Sequence, residues 1–485
     1  MERWDTIFFA AYVALLGVLS IYGLHRYALL FLYFRCYKRR RHVAPPMPER
    51  LPSVTVQLPF YNERYVAQRV IEAAARIRYP RDLLRVQVLD DSVDDTGAIA
   101  AAAVDTLLAS GVRAEYLHRA DRAGFKAGAL AAGLAATPDE LVAIFDADFV
   151  PPVDFLEKTV PHFADPRVGM VQTRWGYLNR EYSLLTRLQA LLLDGHFMLE
   201  HTARNYSGRY FNFNGTGGVF RAVAIRDAGG WQGDTLTEDL DLSYRTQMRG
   251  WKFVFLPDVE CPSELPVDIH GFKNQQYRWT KGSIQVGRKL LPQIWKSDAS
   301  LKVKLEATFH LSANVSYVLL VALSLLMPFA VARRAQLIDG VSFMLEAIAF
   351  GVTTASVLLF YAVAQRELHR DWKLRARDIP AILAMGVGMC ANNAWAVVEA
   401  LVGHQTPFVR TAKYRIESWR DCWKGKRYRA VRRHSLFAEL GLCVYMAVGF
   451  AGIAMLGAWG ALPYIGLFVA GYAYVFGLSV IHARR

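Results

Sequence analysis

The chain is poor in cysteine, and it has neither internal repeats nor low-complexity tracts. Its 485 residues include five cysteines, which are scattered and form no CxxC pair. They are Cys36, Cys261, Cys390, Cys422 and Cys443. Such a set indicates neither a disulfide framework nor a zinc site, and it is compatible with a reducing compartment.

Acidic residues are outnumbered, with 43 Asp and Glu against 57 Lys and Arg, and the net charge is +14. Nucleic-acid binding is one interpretation of such an excess of basic residues. The basic residues concentrate beside apolar runs, however, where the positive-inside rule places them, and no nucleic-acid-binding motif is present. A composition that is 53% hydrophobic and 21% charged predicts a membrane protein with a substantial soluble domain and no nucleic-acid partner.

The first apolar run covers residues 7–34 and is long enough to cross a bilayer. A cleavable signal peptide is the alternative, but the run is too long and no small-residue cleavage site follows it. The basic segment 35–41 comes next and predicts that the following residues are cytosolic.

Further apolar runs cover residues 308–331, 341–363, 379–402, 437–457 and 460–481. The run 379–402 contains Asn392, Asn393 and Glu399, whose exposure to lipid would be costly. We therefore expect this run to lie at the cytosolic interface or at a channel mouth, which leaves five spans. The amino terminus is then outside, and the basic loop 403–436 is cytosolic.

Between residues 50 and 300 the pattern becomes that of a soluble α/β domain. Short apolar strands alternate with helical patterns, the strands at 54–58, 86–89 and 141–145 and the helices at 98–108 and 127–136. This alternation predicts a mainly parallel sheet whose ligands bind beyond the carboxyl ends of the strands. Acidic residues stand at two of these ends.

Asp146 and Asp148 flank one residue at a strand end, and together they suit Mg²⁺ or Mn²⁺ bound with diphosphate oxygens. The same spacing recurs at Asp239 and Asp241, so the spacing alone is not diagnostic. The pair Asp90-Asp91 at another strand end suits hydrogen bonds to a base or ribose, and an acidic turn that caps the next helix is the alternative.

Two cationic sites complete the pattern. Lys126 lies in a glycine-containing turn ahead of a helix, where backbone and helix start favour phosphate. In the stretch Gln275-x-x-Arg278-Trp279, Arg278 suits phosphate oxygens. Trp279 offers a flat apolar face for a sugar ring, and a core tryptophan is the alternative.

The segment 283–306 carries Ile284, Leu291 and Ile294 along one helical face and basic residues elsewhere. This predicts an amphipathic helix on the anionic cytosolic membrane surface. A helix packed on the soluble domain is the alternative.

The order D…DxD…TED…QxxRW resembles that of the processive inverting glycosyltransferases of family 2, which include cellulose, mannan, chitin and hyaluronan synthases. The segment Phe213–Arg221 is similar to the acceptor-side loop of plant cellulose-synthase-like mannan and xyloglucan-backbone synthases. The likeness covers residues 50–300 well and the remainder loosely. It implies an α/β fold of GT-A type (Rossmann-like), a cytosolic domain inserted between transmembrane α-helices.

The resemblance also implies roles for particular residues. Asp239 is expected to be the catalytic base, with Glu238 orienting the site. The metal ligands for Mg²⁺ or Mn²⁺ are expected to be Asp146 and Asp148. The residues expected to bind the nucleotide sugar are Asp90, Asp91, Lys126, Asp146, Gln275 and Arg278. Those expected to bind the acceptor are Trp279, Asn214, Gly215 and Thr216.

A gating loop that closes over the nucleotide is expected at Phe408, Thr411 and Lys413, although Arg410 stands where the family pattern has valine. No cyclic-di-GMP-binding pattern of the PilZ type is present. The expected units are an N-terminal span and basic stop (1–40), a glycosyltransferase domain (41–282), an interfacial helix (283–306), two spans (307–364), an interfacial helix with the gating region (365–436) and two spans (437–485).

The expected function is inverting, processive β-glycosyl transfer, which polymerises a β-1,4 glucan or mannan and passes it across the inner (plasma) membrane. UDP-glucose and GDP-mannose both remain open as donors, since the sugars differ at one stereocentre. The expected partners are a polysaccharide acceptor, membrane lipid and accessory export proteins. One alternative is a single transfer to a lipid such as ceramide or polyprenyl phosphate. A membrane scaffold or transporter with a degenerate domain is another, but the intact motifs argue against it.

Overall fold

The computed structural model describes residues 3–38, 45–337, 340–428 and 435–483. Residues 39–41 of the basic stop and 429–434 of the basic loop lie outside this range. The strands are β1 Val54–Phe60, β2 Leu84–Asp90, β3 Ala114–His118, β4 Leu141–Ile144, β5 Val168–Tyr177, β6 Gly218–Arg221 and β7 Lys252–Ser263.

The helices precede, connect and follow these strands. Those up to the end of the α/β domain are α1 Arg3–Leu32, α2 Ala67–Ala75, α3 Thr96–Ala109, α4 Phe125–Ala136, α5 Phe155–Thr159, α6 Leu184–Gly195, α7 Thr202–Tyr206, α8 Ala222–Asp227 and α9 Glu238–Met248. The later ones are α10 Ile269–Lys296, α11 Leu301–Ser312, α12 Ser316–Leu337, α13 Gly340–Leu368, α14 Trp372–Arg375, α15 Ile379–Gly388, α16 Cys390–Val402, α17 Ser435–Met455 and α18 Leu462–Ala483.

The seven strands form one mixed sheet in the order β3-β2-β1-β4-β6-β5-β7. The first four in this order run parallel, while β6 is antiparallel to both β4 and β5. Every residue of β1 is buried, as expected for a parallel strand covered on both faces. The register pairs Phe60 with Asp90, so the ends of β1 and β2 meet at one edge of the sheet. The GT-A-like α/β fold is confirmed.

Among the described residues, five helices are long and apolar enough to cross a membrane, judged by length and composition alone. They are Trp4–Lys38, Leu301–Ala335, Glu346–Leu368, Leu436–Met455 and Trp459–Ala483. The remaining apolar run falls on Trp372–Gly388 and Cys390–Val402, which meet at 46° and would make a sixth span if counted together. The bend between the two helices argues against one straight span. Asn392 and Asn393 are buried within the protein and are therefore not exposed to lipid.

The segment 283–306 is not a separate helix. Its first part continues α10, which begins at Ile269, and its last part lies in α11. Leu290 and Ile294 pack with Tyr244 and Leu311 in a buried cluster, so protein covers this apolar face. The predicted boundary at 283 differs from the observed one because α10 continues through Gly282. A local pattern also does not reveal which surface covers an apolar face.

Candidate active site

A pocket lies at the carboxyl edge of the strands, between the sheet, α9, α10 and residues 404–428, a segment that we call the strap. Most of the residues predicted for the site line this pocket: Asp91, Lys126, Asp146, Asp148, Asn214, Gly215, Glu238, Asp239, Gln275, Arg278, Trp279, Phe408, Thr411 and Lys413. Asp90 and Thr216 do not line the pocket and are buried beside it.

The acid pair follows β4, where the chain turns out of the sheet. Lys126 Nζ lies 2.5 Å from Asp146 Oδ1 and 2.8 Å from the carbonyl oxygen of Gly215. Lys413 Nζ of the strap lies 2.6 Å from Asp148 Oδ2. Burial raises the pKa of Asp146, although Lys126 opposes the rise. Each carboxylate therefore has a cationic partner from the chain itself.

The donor set of this pair fits a divalent cation. Asp146 and Asp148 supply hard oxygen ligands in the same pocket. Within the described ranges no group of three or more His, Cys, Asp or Glu side chains is placed to hold a metal ion. Two carboxylates with the remaining positions open to water and phosphate oxygens would suit Mg²⁺, which usually keeps such ligands.

Glu238 and Asp239 form the first turn of α9, at the edge of the same pocket. Asp239 Oδ1 accepts a hydrogen bond of 2.8 Å from the Leu240 amide. Burial and then the neighbouring Glu238 raise the pKa of Asp239 to about 7. A carboxylate with this pKa is suited to general-base catalysis near neutral pH.

Asp241, which repeats the Asp-x-Asp spacing, has a structural position. Its side chain is fully buried and pairs with Arg245 at 2.7 Å and with Lys289 at 2.9 Å. It points away from the pocket, since residues 239 and 241 lie on different faces of α9.

The loop 213–217 brings Gly215 against the side chain of Asp239. Gly215 has φ +80°, and a Cβ atom there would lie 2.9 Å from Asp239 Oδ2. Thr216 is fully buried, and its Oγ1 accepts a 2.9 Å hydrogen bond from the Asp146 amide. Thr216 therefore braces the acid pair from behind the pocket, and its predicted contact with an acceptor stays a prediction.

The helix α10 presents the Gln-x-x-Arg-Trp stretch because positions i, i+3 and i+4 share one helical face. Asp268 caps the helix by accepting the Gly271 amide at 2.7 Å. Arg278 donates to Thr411 Oγ1 at 3.1 Å and lies 4.5 Å from the centre of the Phe408 ring. Trp279 lines the pocket with its ring centre 6.4 Å from that of Trp175.

The strap is held on the pocket at several points. The Phe408 ring stacks on Phe125 with centres 5.7 Å apart. The carboxylate of Glu264, at the end of β7, accepts the backbone amides of Tyr414 and Arg415 at 2.9 Å each. Arg410 lies 4.3 Å from the centre of the Tyr428 ring, so the residue that departs from the family pattern contacts the strap itself.

The two acids after β2 have different surroundings. Asp90 is fully buried and accepts hydrogen bonds from Tyr116 Oη at 2.6 Å and from the Ser92 amide at 3.0 Å. Asp91 lines the pocket, and both of its oxygens accept from Arg119, at 2.8 and 2.6 Å. Asp90 thus braces the end of β2, and its predicted nucleotide contact stays a prediction.

Sequence reasoning missed two acids of the pocket, Glu63 and Glu264. Burial raises the pKa of Glu63 to about 7, and its nearest cation is Arg410 at 3.7 Å. Both glutamates closely follow a strand, β1 or β7. The rule that drew attention to Asp91 and Asp146 would have found them had it been applied to every strand end.

Comparison with known proteins shows what the chain is similar to. Residues 55–225 match the description "Glycosyl transferase family 2", and residues 141–368 match "Glycosyl transferase family group 2". The two overlapping matches together cover residues 55–368, over which the chain is similar to these glycosyltransferases.

Over 248 residues the chain is 42% identical to glucomannan 4-beta-mannosyltransferase 2 of Arabidopsis thaliana. This alignment covers 50% of the chain and 46% of the relative, so the chain spans about half the length of the curated relative that it matches. The fold is similar to that of a mannosyltransferase from Pyrobaculum calidifontis in complex with GDP-Man and Mn²⁺. The TM-score is 0.53 at 21% identity, over 81% of this chain and 99% of that one.

Proposed function

We propose that the protein is a membrane-integral, inverting β-mannosyltransferase that extends a β-1,4-linked glycan from GDP-mannose. The observation that carries the proposal is the position of Asp239. This half-buried carboxylate with a pKa of about 7 shares one pocket with the acid pair and with Trp279. The choice of mannose over glucose is supported by the 42% identity to a glucomannan mannosyltransferase.

The chain's own residues account for an inverting transfer. Asp239 takes the proton of the acceptor hydroxyl, and Glu238 raises its proton affinity by repulsion. Lys126 and Arg278 line the side of the pocket where the nucleotide diphosphate leaves, and they stabilise its growing charge. Asp146 and Asp148 would hold a divalent cation, which supplies further charge neutralisation at the diphosphate.

No second carboxylate needs to bond covalently to the sugar in this scheme, in contrast with retaining chemistry. Trp279 offers its face to the acceptor sugar next to the base. In the proposed scheme the acceptor hydroxyl and the departing diphosphate occupy opposite sides of the transferred sugar, as inversion requires.

Extension of a polymer, with passage of the product between the helices, is part of the proposal. A second cavity supports it. This cavity has a volume of about 330 Å³ and is lined at one end by Glu200, Arg204 and His310 and farther along by side chains of α1, α12 and α13. We propose that the growing glycan enters this cavity, and that the catalytic domain faces the cytosol.

The experiment is an incubation of the purified protein in lipid nanodiscs with labelled GDP-mannose or UDP-glucose and either Mn²⁺ or Mg²⁺. We expect incorporation from GDP-mannose into a product that resists organic extraction and that an endo-β-1,4-mannanase digests. Exclusive incorporation from UDP-glucose would reject the donor. A labelled product that partitions into organic solvent would instead favour a single transfer to lipid.

A further inference from the structure

A short π-helical turn, His196–His201, connects α6 and α7 and places two imidazoles around one amide side chain. Asn214 Nδ2 lies 3.0 Å from His196 Nε2, and Asn214 Oδ1 lies 2.6 Å from His201 Nε2. The two rings have centres 4.3 Å apart. π-Helical turns of this kind occur frequently at functional sites. None of the chemistry described above uses either histidine.

The hydrogen-bond partners determine the tautomer of each ring. His201 Nε2 also lies 3.0 Å from the backbone carbonyl oxygen of Asn212, which only accepts. His201 Nε2 must therefore carry a proton and donate to Asn214 Oδ1 as well. It follows that the NH₂ group of Asn214 faces His196, whose Nε2 must accept.

The other nitrogen of His196 completes the chain of hydrogen bonds. Because its Nε2 accepts, the proton of a neutral His196 is on Nδ1, which lies 3.0 Å from Glu200 Oε2. Burial acts to raise the pKa of Glu200, but Arg204 and His196 outweigh it and hold this pKa well below its usual range. The carboxylate is thus charged and fixes the ring of His196 as an acceptor toward Asn214.

In this orientation the Asn214 side-chain amide keeps hydrogen-bonding capacity that the two histidines do not use. Asn214 has two N–H donors and two oxygen lone pairs, and the histidines occupy one of each. Asn214 lines the pocket beside Gly215, whose absent Cβ would touch Asp239. One N–H and one lone pair of defined direction are therefore left for a ligand near the base.

We infer that His196 and His201 are positioning residues, which orient the Asn214 amide so that it binds a hydroxyl of the acceptor sugar. The ligand class is a neutral glycan with paired hydroxyls, since one donor and one acceptor are offered side by side. This inference rests on the proposed function for the identity of the acceptor. A purely structural histidine would contribute only its ring volume.

The test uses a pair of substitutions at His201, whose Nδ1 has no hydrogen-bond partner among the described residues. In His201→Gln the terminal amide takes the place of Nε2 and keeps a donor for Asn214. In His201→Asn the amide ends near the position of Nδ1 and cannot reach. Both variants lose the ring, and the Gln variant differs from the Asn variant by the hydrogen bond to Asn214 and by one methylene group.

The first measurement is calorimetric binding of a soluble β-1,4-linked manno-oligosaccharide to the full-length protein, which needs no turnover. We expect His201→Asn to weaken this binding about tenfold, the effect of one buried hydrogen bond left unmade. His201→Gln should stay within about threefold of the parent protein. GDP binding, measured in the same samples, should be unchanged in both and shows that the variants are folded.

The second measurement is steady-state transfer at varied oligosaccharide concentration. His201→Asn should raise the acceptor KM with a smaller change in kcat, and His201→Gln should restore the KM. The matched pair His196→Gln and His196→Asn should show the same ordering, because His196 also contacts Asn214 through Nε2. This second pair decides the question if a His201 variant loses GDP binding.

Equal oligosaccharide affinity in the Gln and Asn variants at both positions would overturn the inference, as would a parent protein that does not bind the oligosaccharide. A parent protein that binds the oligosaccharide but transfers no sugar would instead reject the proposed function. The ordering of the binding constants would then still test the histidines.

Discussion

Lys413 Nζ lies 2.6 Å from Asp148 Oδ2, and this ion pair joins the strap to the end of β4. The side chains of both residues are about nine-tenths buried, at 8% and 10% exposure, so the pair is weakly screened by solvent. A second lysine, Lys126, balances Asp146 in the same way. Any divalent cation that binds the acid pair must therefore compete with two ammonium groups, one of which belongs to the strap.

The first prediction concerns this acid pair. Asp148→Asn should weaken GDP-mannose binding in the presence of Mn²⁺ by about tenfold or more, because a charged oxygen ligand is lost. Isothermal calorimetry with and without Mn²⁺ measures the effect. Asp105→Asn, at an exposed position of α3, is the matched control and should behave as the parent protein.

Transfer by the parent protein should also stop in excess chelator and return when Mn²⁺ or Mg²⁺ is added. Undiminished transfer in the chelator would remove the metal from the reaction and leave Lys126 and Lys413 as the balancing charges of the pair.

The second prediction concerns the base. Asp239→Asn should lower kcat by about 10²–10⁴-fold while the dissociation constant of GDP-mannose changes little, since base catalysis acts in the transition state. The exposed substitution Asp82→Asn serves as the control. Near-normal turnover in Asp239→Asn would reject the assignment.

The pH profile of the parent protein tests the same residue. The base works deprotonated, and burial raises its pKa to about 7. The rate should therefore fall as the pH drops through 7 and level off above it. A profile without this acidic limb would show that another group accepts the proton.

The acidic residues at the edge of the sheet could be predicted from the sequence, because the rule that locates them needs only the end of each strand. Parallel strands bring their carboxyl ends to one edge, and Asp91, Asp146 and Asp148 each directly follow or closely follow a strand. The same rule does not tell which of Asp90 and Asp91 faces the pocket. Neighbouring residues of an extended chain point to opposite sides, so only one of the two can do so. Asp90 points toward Tyr116 of β3, a contact that only the strand pairing reveals.

Other parts of the site depend on contacts between distant residues. Glu264 accepts the amides of Tyr414 and Arg415, which are about 150 residues farther along the chain. The pairing of Asn214 with two histidines is likewise created by packing of α6 and α7 against the loop 213–217. The strand-end rule can locate Glu264 beside the pocket, but no periodicity or spacing encodes its partners or those of the two histidines.

The third prediction separates two neighbours on α10. Trp279→Ala should raise the acceptor KM by about tenfold, because a flat apolar face for a sugar ring is removed. Arg278→Ala should instead weaken GDP-mannose binding, because a cation facing the diphosphate is lost. Trp279→Phe keeps an aromatic face and is the control. Matching defects in donor and acceptor parameters for both alanine variants would contradict this division.

The fourth prediction uses two glycines of similar backbone conformation. Gly215 has φ +80° and Gly111 has φ +78°, so alanine strains the backbone at both positions, by about 1–2 kcal/mol. At Gly215 the new Cβ would also lie 2.9 Å from Asp239 Oδ2, whereas at Gly111 it meets no atom within 4 Å. Both variants should lose stability in thermal unfolding, and Gly215→Ala should lose at least as much as Gly111→Ala.

Only Gly215→Ala should lower kcat, because only this substitution displaces the base. The expected loss is about tenfold or more, as for a small misplacement of a catalytic group. A parallel fall of kcat in Gly111→Ala would attribute the effect to general destabilisation, and full activity in Gly215→Ala would show that Asp239 tolerates displacement.

The last prediction concerns topology. Lys413 pairs with Asp148 and Glu264 binds Tyr414, so the strap must lie on the same side of the membrane as the α/β domain. The basic character of both the segment after α1 and the strap predicts that this side is the cytosol. With five spans, the short connection between α17 and α18 is then outside the cell.

Thiol labelling distinguishes the two sides. The background lacks Cys36, Cys422 and Cys443 and retains Cys261 and Cys390, which are buried and therefore protected. In this background Ser418→Cys, an exposed position of the strap, should react with a membrane-impermeant reagent only after the cells are opened. Met455→Cys, 84% exposed at the end of α17, should react in intact cells. Labelling of Ser418→Cys in intact cells would show that the strap is outside the cell. Because Lys413 pairs with Asp148, the α/β domain would then also be outside, where it could not reach a cytosolic nucleotide sugar.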